Sequence, residues 1–129
     1  MKQRHVTVVV TLVLAASWLT GVPASAGELT QAEMKGLRQA VRAHVQEQRE
    51  EEDGAFVIRD EKLDKEWRLK FIRLHDEARQ LSEKAYSVCA DFKEEEGRTK
   101  LDVDFLVNRS GAGWSVRQTV IHSVGGKSR

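Results

Sequence analysis

The chain has a single cysteine and no excess of one charge. The first feature excludes a protein with internal disulfides, and the second argues against a nucleic-acid-binding protein. Cys89 is the only cysteine among 129 residues, so no internal disulfide can form and the fold must be stable through packing or through a partner. The 21 basic side chains nearly balance the 20 acidic ones. This balance argues against nucleic acid as a partner, because a nucleic-acid-binding protein carries a basic face or tail.

Sequence motifs of common enzymes are also absent. The chain contains no glycine-rich phosphate loop, no G-x-S-x-G and no H-E-x-x-H. No cofactor is predicted on this basis. The aromatic side chains other than Trp18 all lie after residue 54, which places the predicted core in that region.

The first 26 residues have the organisation of a secretory signal peptide. Lys2 and Arg4 precede an apolar run over residues 6–19, and Ala24-Ser25-Ala26 is a small-residue cleavage site. The run is shorter than the ~20 residues of a membrane span. We therefore expect cleavage after Ala26, a periplasmic or extracellular protein, and no stable membrane insertion afterwards. The alternative is a leader retained as an anchor.

The remaining residues, 27–129, are enough for one domain. Thr30 and Glu33 have the spacing of a capping box. Apolar residues then recur every three or four positions, which predicts an amphipathic helix to about Arg49 with Gly54 after it. The stripe of this helix is Met34, Leu37, Val41 and Val45.

Alternating apolar and polar residues predict strands after the helix. They cover residues 55–59, 67–75, 86–92, 101–107 and 114–124. The alternation changes parity at Phe71 and Ile72, which predicts a β-bulge. Residues 76–84 are expected to form a polar connection, and residues 125–129 a polar tail. The predicted fold class is therefore α+β, with the N-terminal helix packed on a four- to five-stranded antiparallel sheet.

Three carboxylates share one predicted sheet face. Asp102 and Asp104 alternate on one strand, and Asp91 has the same parity on its neighbour. Such carboxylates could bind a cation or transfer protons, but charged side chains are also normal on the solvated face of a sheet. The solvated face is the favoured interpretation.

Two histidines and the cysteine are the other candidates. His75 ends the second strand, and strict alternation puts His122 on the Trp114 face of the last strand, away from Cys89. Imidazole and thiolate are ligands of transition metals, but this spacing is not that of a metal site. Structural histidines and an inert, buried thiol are favoured over a metal site or a nucleophilic pair. Likewise, Trp67, Phe71, Phe105 and Trp114 are expected to form core rather than to line a pocket.

Three segments resemble a group of small uncharacterised secreted bacterial proteins that read roughly Y-x-V-C-A-D-F, D-V-D-F-F-V and I-H-K-V-x-G-K. The matching segments here are residues 86–92, 101–105 and 120–127. The resemblance covers about residues 54–129 and implies no activity. The order of helix and sheet also resembles cystatin-like and NTF2-like layouts, by analogy alone. The cystatin hairpin reads Q-x-V-x-G, and residues 118–122 lack its glycine, so protease inhibition is not implied.

These observations favour an exported, non-enzymatic binding or accessory domain whose partner is a protein or small ligand. The predicted binding surface is the free sheet face with Cys89, Asp91, Asp102 and Asp104, together with Arg117. The alternative function is a metal- or acid/base-dependent enzyme that uses Asp102, Asp104 and either His75 or His122. A third interpretation is a homodimer joined through Cys89 or through sheet faces.

Overall fold

A single helix opens the described part of the protein. The computed structural model describes residues 28–129, and the predicted signal peptide lies outside them. Helix α1 covers Gln31–Glu51. The predicted capping box is confirmed: the Thr30 hydroxyl accepts from the Glu33 amide at 3.1 Å, and the Glu33 carboxylate accepts from the Thr30 amide at 2.8 Å. No helix within residues 28–129 is long and apolar enough to cross a membrane.

Six antiparallel strands follow, each paired with the next along the chain. They are β1 (Phe56–Asp60), β2 (Lys65–Ser82), β3 (Ala85–Glu94), β4 (Lys100–Ser110), β5 (Gly113–Val124) and β6 (Lys127–Ser128). The strands contain 57% of the described residues and the helix 21%. The prediction of an α+β layout with a four- to five-stranded sheet is therefore wrong, because the structure is predominantly β with one helix.

Two segments account for the difference. The expected polar connection after His75 is instead strand, since β2 continues to Ser82 and pairs with β3. The expected polar tail folds back as β6 through a two-residue turn at Gly125 and Gly126. Both glycines have positive φ, 58° and 82°, which is the conformation that a type I′ hairpin turn requires.

The core lies between the helix and the inner face of the sheet. Leu37, Val41 and Val45 of α1 are buried, and Met34 is half-buried. The sheet contributes the buried residues Phe56, Trp67, Leu69, Leu74, Tyr86, Val88, Ala90, Phe92, Leu101, Val103, Phe105 and Val107. Phe71 and Trp114 pack partly buried against this set. Of the four aromatic residues expected to form core, Trp67 and Phe105 are therefore confirmed as buried core residues, and Phe71 and Trp114 pack at its edge.

The two ends of the sheet are joined by one buried acid. Asp60, at the end of β1, has a side chain only 1% exposed and accepts a hydrogen bond from the Arg129 guanidinium at 2.5 Å. The Trp67 indole also donates to this carboxylate, at 3.1 Å. Arg129 directly follows β6, so this side-chain contact links the ends of the first and last strands of the sheet.

Register shifts change which side chains point away from the core. The bulge predicted at Phe71 and Ile72 is confirmed, because pairing passes from Phe71 to Arg73. Ile72 is left 53% exposed, although the alternation had placed it with the apolar set. A second shift follows, in which residues 75–77 stand opposite the single residue Cys89.

Strand β5 contains two more shifts, which the strict alternation did not predict. Arg117 and His122 have no partner in β4, since pairing passes from Val116 to Gln118 and from Ile121 to Ser123. The prediction that residues 114–124 keep one parity is therefore wrong. His122 is consequently not on the face of Trp114, and its side chain reaches the opposite side of the sheet.

Candidate functional site

The candidate site lies on the outer face, which we define as the side of β2–β5 that points away from the core. Cys89 pairs across the sheet with Asp104, and Asp91 pairs with Asp102. Their neighbours along β3 and β4 are buried core residues, so all four side chains project outward. The structure thus brings together four of the five residues of the predicted binding surface.

His75 contacts Asp91 from the first position of the three-residue bulge in β2, and the earlier shift at Ile72 turns it to the outer face. Its Nε2 lies 2.6 Å from Asp91 Oδ1, and Arg73 Nε donates to Asp91 Oδ2 at 2.8 Å. Arg38 of α1 donates to the carbonyl of His75 and forms an ion pair with Asp76 at 3.3 Å. The helix therefore holds the bulge that presents His75 to the carboxylate.

The charge state of Asp91 follows from these contacts. Burial acts to raise the pKa of Asp91, but hydrogen bonds from His75 and Arg73 outweigh it and hold that pKa below its usual value. Asp91 is therefore ionised at neutral pH.

A second histidine–carboxylate pair forms on β4 and β5. His122 Nδ1 lies 2.9 Å from Asp104 Oδ2. The shift at Arg117 makes this contact possible, because it turns the residues after it, including His122, out of the face that strict alternation gave them. The next residue, Ser123, donates to Asp102 Oδ2 at 2.6 Å. Each of the two outward carboxylates of β4 is thus held by a neighbour on β5.

Cys89 lies between the two histidine–carboxylate pairs, and its thiol has low reactivity. Burial raises the pKa of the Cys89 thiol to about 12, and the charge and hydrogen bond of Asp104 add to the effect, as do the charges of Asp102 and Asp91. A thiol acts as a nucleophile or metal ligand only as the thiolate. The arrangement therefore keeps Cys89 protonated at neutral pH.

A cavity of about 680 Å³ opens beside Cys89. Its wall contains both histidines, two arginines and three carboxylates. The lining residues are Arg73, His75, Asp76, Glu77, Ala78, Arg79, Ser87, Cys89, Asp104 and His122. The wall can donate and accept hydrogen bonds and offers both signs of charge, so it suits a polar ligand better than an apolar one.

One group of side chains has the donor set of a metal site. His75, Asp91 and Asp102 each offer one ligand atom, and these atoms lie within 4.8 Å of one another. They come from three neighbouring strands. The sequence provided the residues but not their convergence, because contacts across three strands depend on the register between those strands.

Arg117, the fifth residue of the predicted surface, lies elsewhere. It is the unpaired residue at the first of the two bulges in β5, and it does not line the cavity. Sequence reasoning in turn missed Arg73 and Ser123. The parity change at Ile72 could have placed Arg73 beside Asp91, whereas Ser123 depends on the unpredicted shift at His122.

We found no match to this chain among protein-family models, curated proteins or solved structures.

Proposed function

We propose that this protein is an exported, non-enzymatic binding domain that holds a small polar ligand in the cavity beside Cys89. The observation that carries the proposal is the cavity wall, in which polar side chains from four adjacent strands line about 680 Å³ and those from β2, β4 and β5 include charged and imidazole groups. Strands fix these side chains more rigidly than loops do, and rigid polar groups favour selective binding. The signal-peptide pattern of residues 1–26 supports export.

The pairing of the polar side chains supports binding rather than catalysis. Within residues 28–129, both outer-face histidines pair with carboxylates, and neither is hydrogen-bonded to a hydroxyl or a thiol. A nucleophilic enzyme needs an imidazole within reach of the attacking group. The raised pKa of Cys89 also removes the most reactive side chain of the cavity from that role.

Native mass spectrometry tests the proposal directly. The full-length chain would be expressed in a bacterium, recovered from the periplasm and measured without reductant. We expect a polypeptide that begins at Gly27 and carries the additional mass of a small organic molecule. A bare polypeptide mass would contradict ligand binding, and a polypeptide that still contains residues 1–26 would contradict cleavage.

Two arginine variants give a matched comparison. Arg79→Ala removes a cation from the cavity wall, and we expect it to lose the additional mass. Arg117→Ala removes a cation of β5 that is also exposed but lies outside the cavity, and we expect it to retain that mass. Loss of the mass from both variants, or from Arg117→Ala alone, would place the ligand outside this cavity.

A further inference from the structure

Asp102 is a carboxylate without a cationic partner beside a second carboxylate. It stands directly opposite Asp91 in the register of β3 and β4, and like charges at directly opposed positions destabilise a sheet. Among residues 28–129, Asp91 forms ion pairs with His75 and Arg73, whereas Asp102 forms none. Its side-chain donor from β5 is the uncharged Ser123 hydroxyl. Asp102 is therefore a carboxylate whose charge no cationic side chain of residues 28–129 neutralises through a direct ion pair.

The third side chain of the group is an imidazole, which changes the chemistry that the pair can perform. His75 Nε2 is 2.6 Å from Asp91, and the ligand atoms of all three residues fit within 4.8 Å. Ligand atoms around a tetrahedral zinc ion lie about 3.3 Å apart, given metal–ligand bonds of about 2.0 Å. No pair of the three atoms needs its separation changed by more than about 1.5 Å to reach that spacing.

The surrounding residues resemble the supports that metal ligands usually have. Ser123 donates to the Asp102 carboxylate at 2.6 Å and fixes its orientation. Arg38 holds the backbone of His75 from the helix, so the bulge does not depend on the ion. The cavity beside His75 gives solvent access to the group and room for a water molecule as the fourth ligand.

From this geometry we infer that His75, Asp91 and Asp102 bind one divalent transition-metal ion of the zinc class, with water as the fourth ligand. One imidazole and two carboxylates suit Zn²⁺, whereas Mg²⁺ prefers six oxygen ligands in a regular octahedron. The two carboxylates neutralise the charge of the ion. The inference rests on the proposed function, because it places an ion at the edge of the same cavity.

Arg73 competes with the ion for Asp91. Its guanidinium donates to Asp91 Oδ2 at 2.8 Å, and the side chain is 63% exposed. An exposed ion pair of this kind contributes little free energy, so Arg73 can move into solvent when the ion binds. A variant without this cation should bind the ion more tightly, whereas a merely structural role for Arg73 would not produce that gain.

Isothermal titration calorimetry with Zn²⁺ tests the inference on the exported protein after its metal has been removed with EDTA. We expect one Zn²⁺ per chain, no comparable binding of Mg²⁺, and affinity reduced more than about tenfold in His75→Ala and in Asp102→Asn. Arg73→Gln should raise the affinity about threefold or more.

The second histidine–carboxylate pair supplies matched controls on the same face. His122→Ala and Asp104→Asn remove the same side-chain types, and we expect Zn²⁺ affinity within about twofold of the unmodified protein. Thermal unfolding by circular dichroism identifies any variant that is not folded. His75→Gln is a second variant at His75, whose side chain is 35% exposed.

Three results would overturn the inference: no Zn²⁺ binding by the unmodified protein, equal losses from His75→Ala and His122→Ala, or weaker binding by Arg73→Gln. The proposed function fails separately. A small organic mass that survives EDTA treatment in a protein without Zn²⁺ affinity would refute the metal site alone. Zn²⁺ binding that depends on His75, without any organic mass, would refute the small-ligand site alone.

Discussion

Cys89 is the residue whose environment most limits what the outer face can do. It is half-buried opposite Asp104, and burial together with nearby carboxylates raises the pKa of its thiol to about 12. The deprotonated fraction at pH 8 is then far below that of an ordinary thiol. Alkylation and oxidation to an intermolecular disulfide both require that fraction. Oxidation of Cys89 is therefore expected to be slow.

Alkylation kinetics measure this effect. At pH 8 we expect iodoacetamide to react with Cys89 at least about a hundredfold more slowly than with glutathione. Asp104→Asn should accelerate the reaction, because it removes a charge that raises the pKa of the thiol. Glu77→Gln is the control, since Glu77 lines the cavity but is not among the carboxylates that raise that pKa. A rate like that of glutathione, or equal acceleration by both variants, would contradict the interpretation.

Strand irregularities are the features that build the site at the level of the elements. The sequence could predict the bulge at Ile72, because apolar residues on both sides of it make the change in parity visible. It could not predict the shift at residues 75–77, since His75, Asp76 and Glu77 are all polar and carry no parity signal. The same holds in β5, where the exposed residues around Arg117 do not reveal which residue is unpaired.

The β5–β6 hairpin gives a test at this scale. A Cβ atom at either turn glycine would meet no atom within 4 Å, so a substitution acts through backbone conformation alone. Gly126 has φ of 82°, and Gly126→Val should lower the free energy of unfolding by about 1–2 kcal/mol. Gly125→Asn should change it by less than about 0.5 kcal/mol, since Asn-Gly is favoured in type I′ turns.

Urea denaturation of the two glycine variants measures the difference. The strained hairpin should also release Arg129 from Asp60, because Arg129 follows β6 directly. Equal stability of the Val and Asn variants would show that the turn does not depend on positive φ at Gly126.

At the scale of the whole molecule, the Asp60–Arg129 contact makes the free energy of unfolding depend on pH in the acid range. The Arg129 hydrogen bond lowers the pKa of Asp60 from 3.8 to about 2, against burial, which raises it, and with help from Trp67. The folded pKa is below the unfolded one, so the stabilisation is complete above about pH 4. It is lost as the pH falls from about 4 to 2.

Thermal unfolding between pH 7 and pH 2 tests this dependence. We expect the Tm of the unmodified protein to fall between pH 4 and pH 2, and Asp60→Asn to be less stable at pH 7 with a smaller fall in that range. Arg129→Ala should cost about 1–3 kcal/mol at pH 7, because it removes one partner of a buried carboxylate. The control variant Arg98→Ala removes an exposed arginine of the β3–β4 turn and should leave the dependence of Tm on pH unchanged. Identical pH profiles for the unmodified protein and Asp60→Asn would refute the role of Asp60.

The sequence by itself determined the local elements of this protein. The capping box of Thr30 and Glu33, the apolar stripe of α1 and the alternation along β3 and β4 depend on neighbours in the chain, so periodicity and capping chemistry are sufficient to predict them. The outward parity of Asp91, Asp102 and Asp104 follows from the same alternation.

Only the tertiary structure decided how many strands the sheet has and which polar side chains meet. The number of strands depends on pairing between distant segments, such as β6 with β5 and Asp60 with Arg129. The convergence of His75 with Asp91, and of His122 with Asp104, depends on unpaired residues that rotate the side chains which follow them. A one-residue shift moves a side chain to the other face of a sheet. The register between strands therefore accounts for the difference between the surface predicted from the sequence and the observed site.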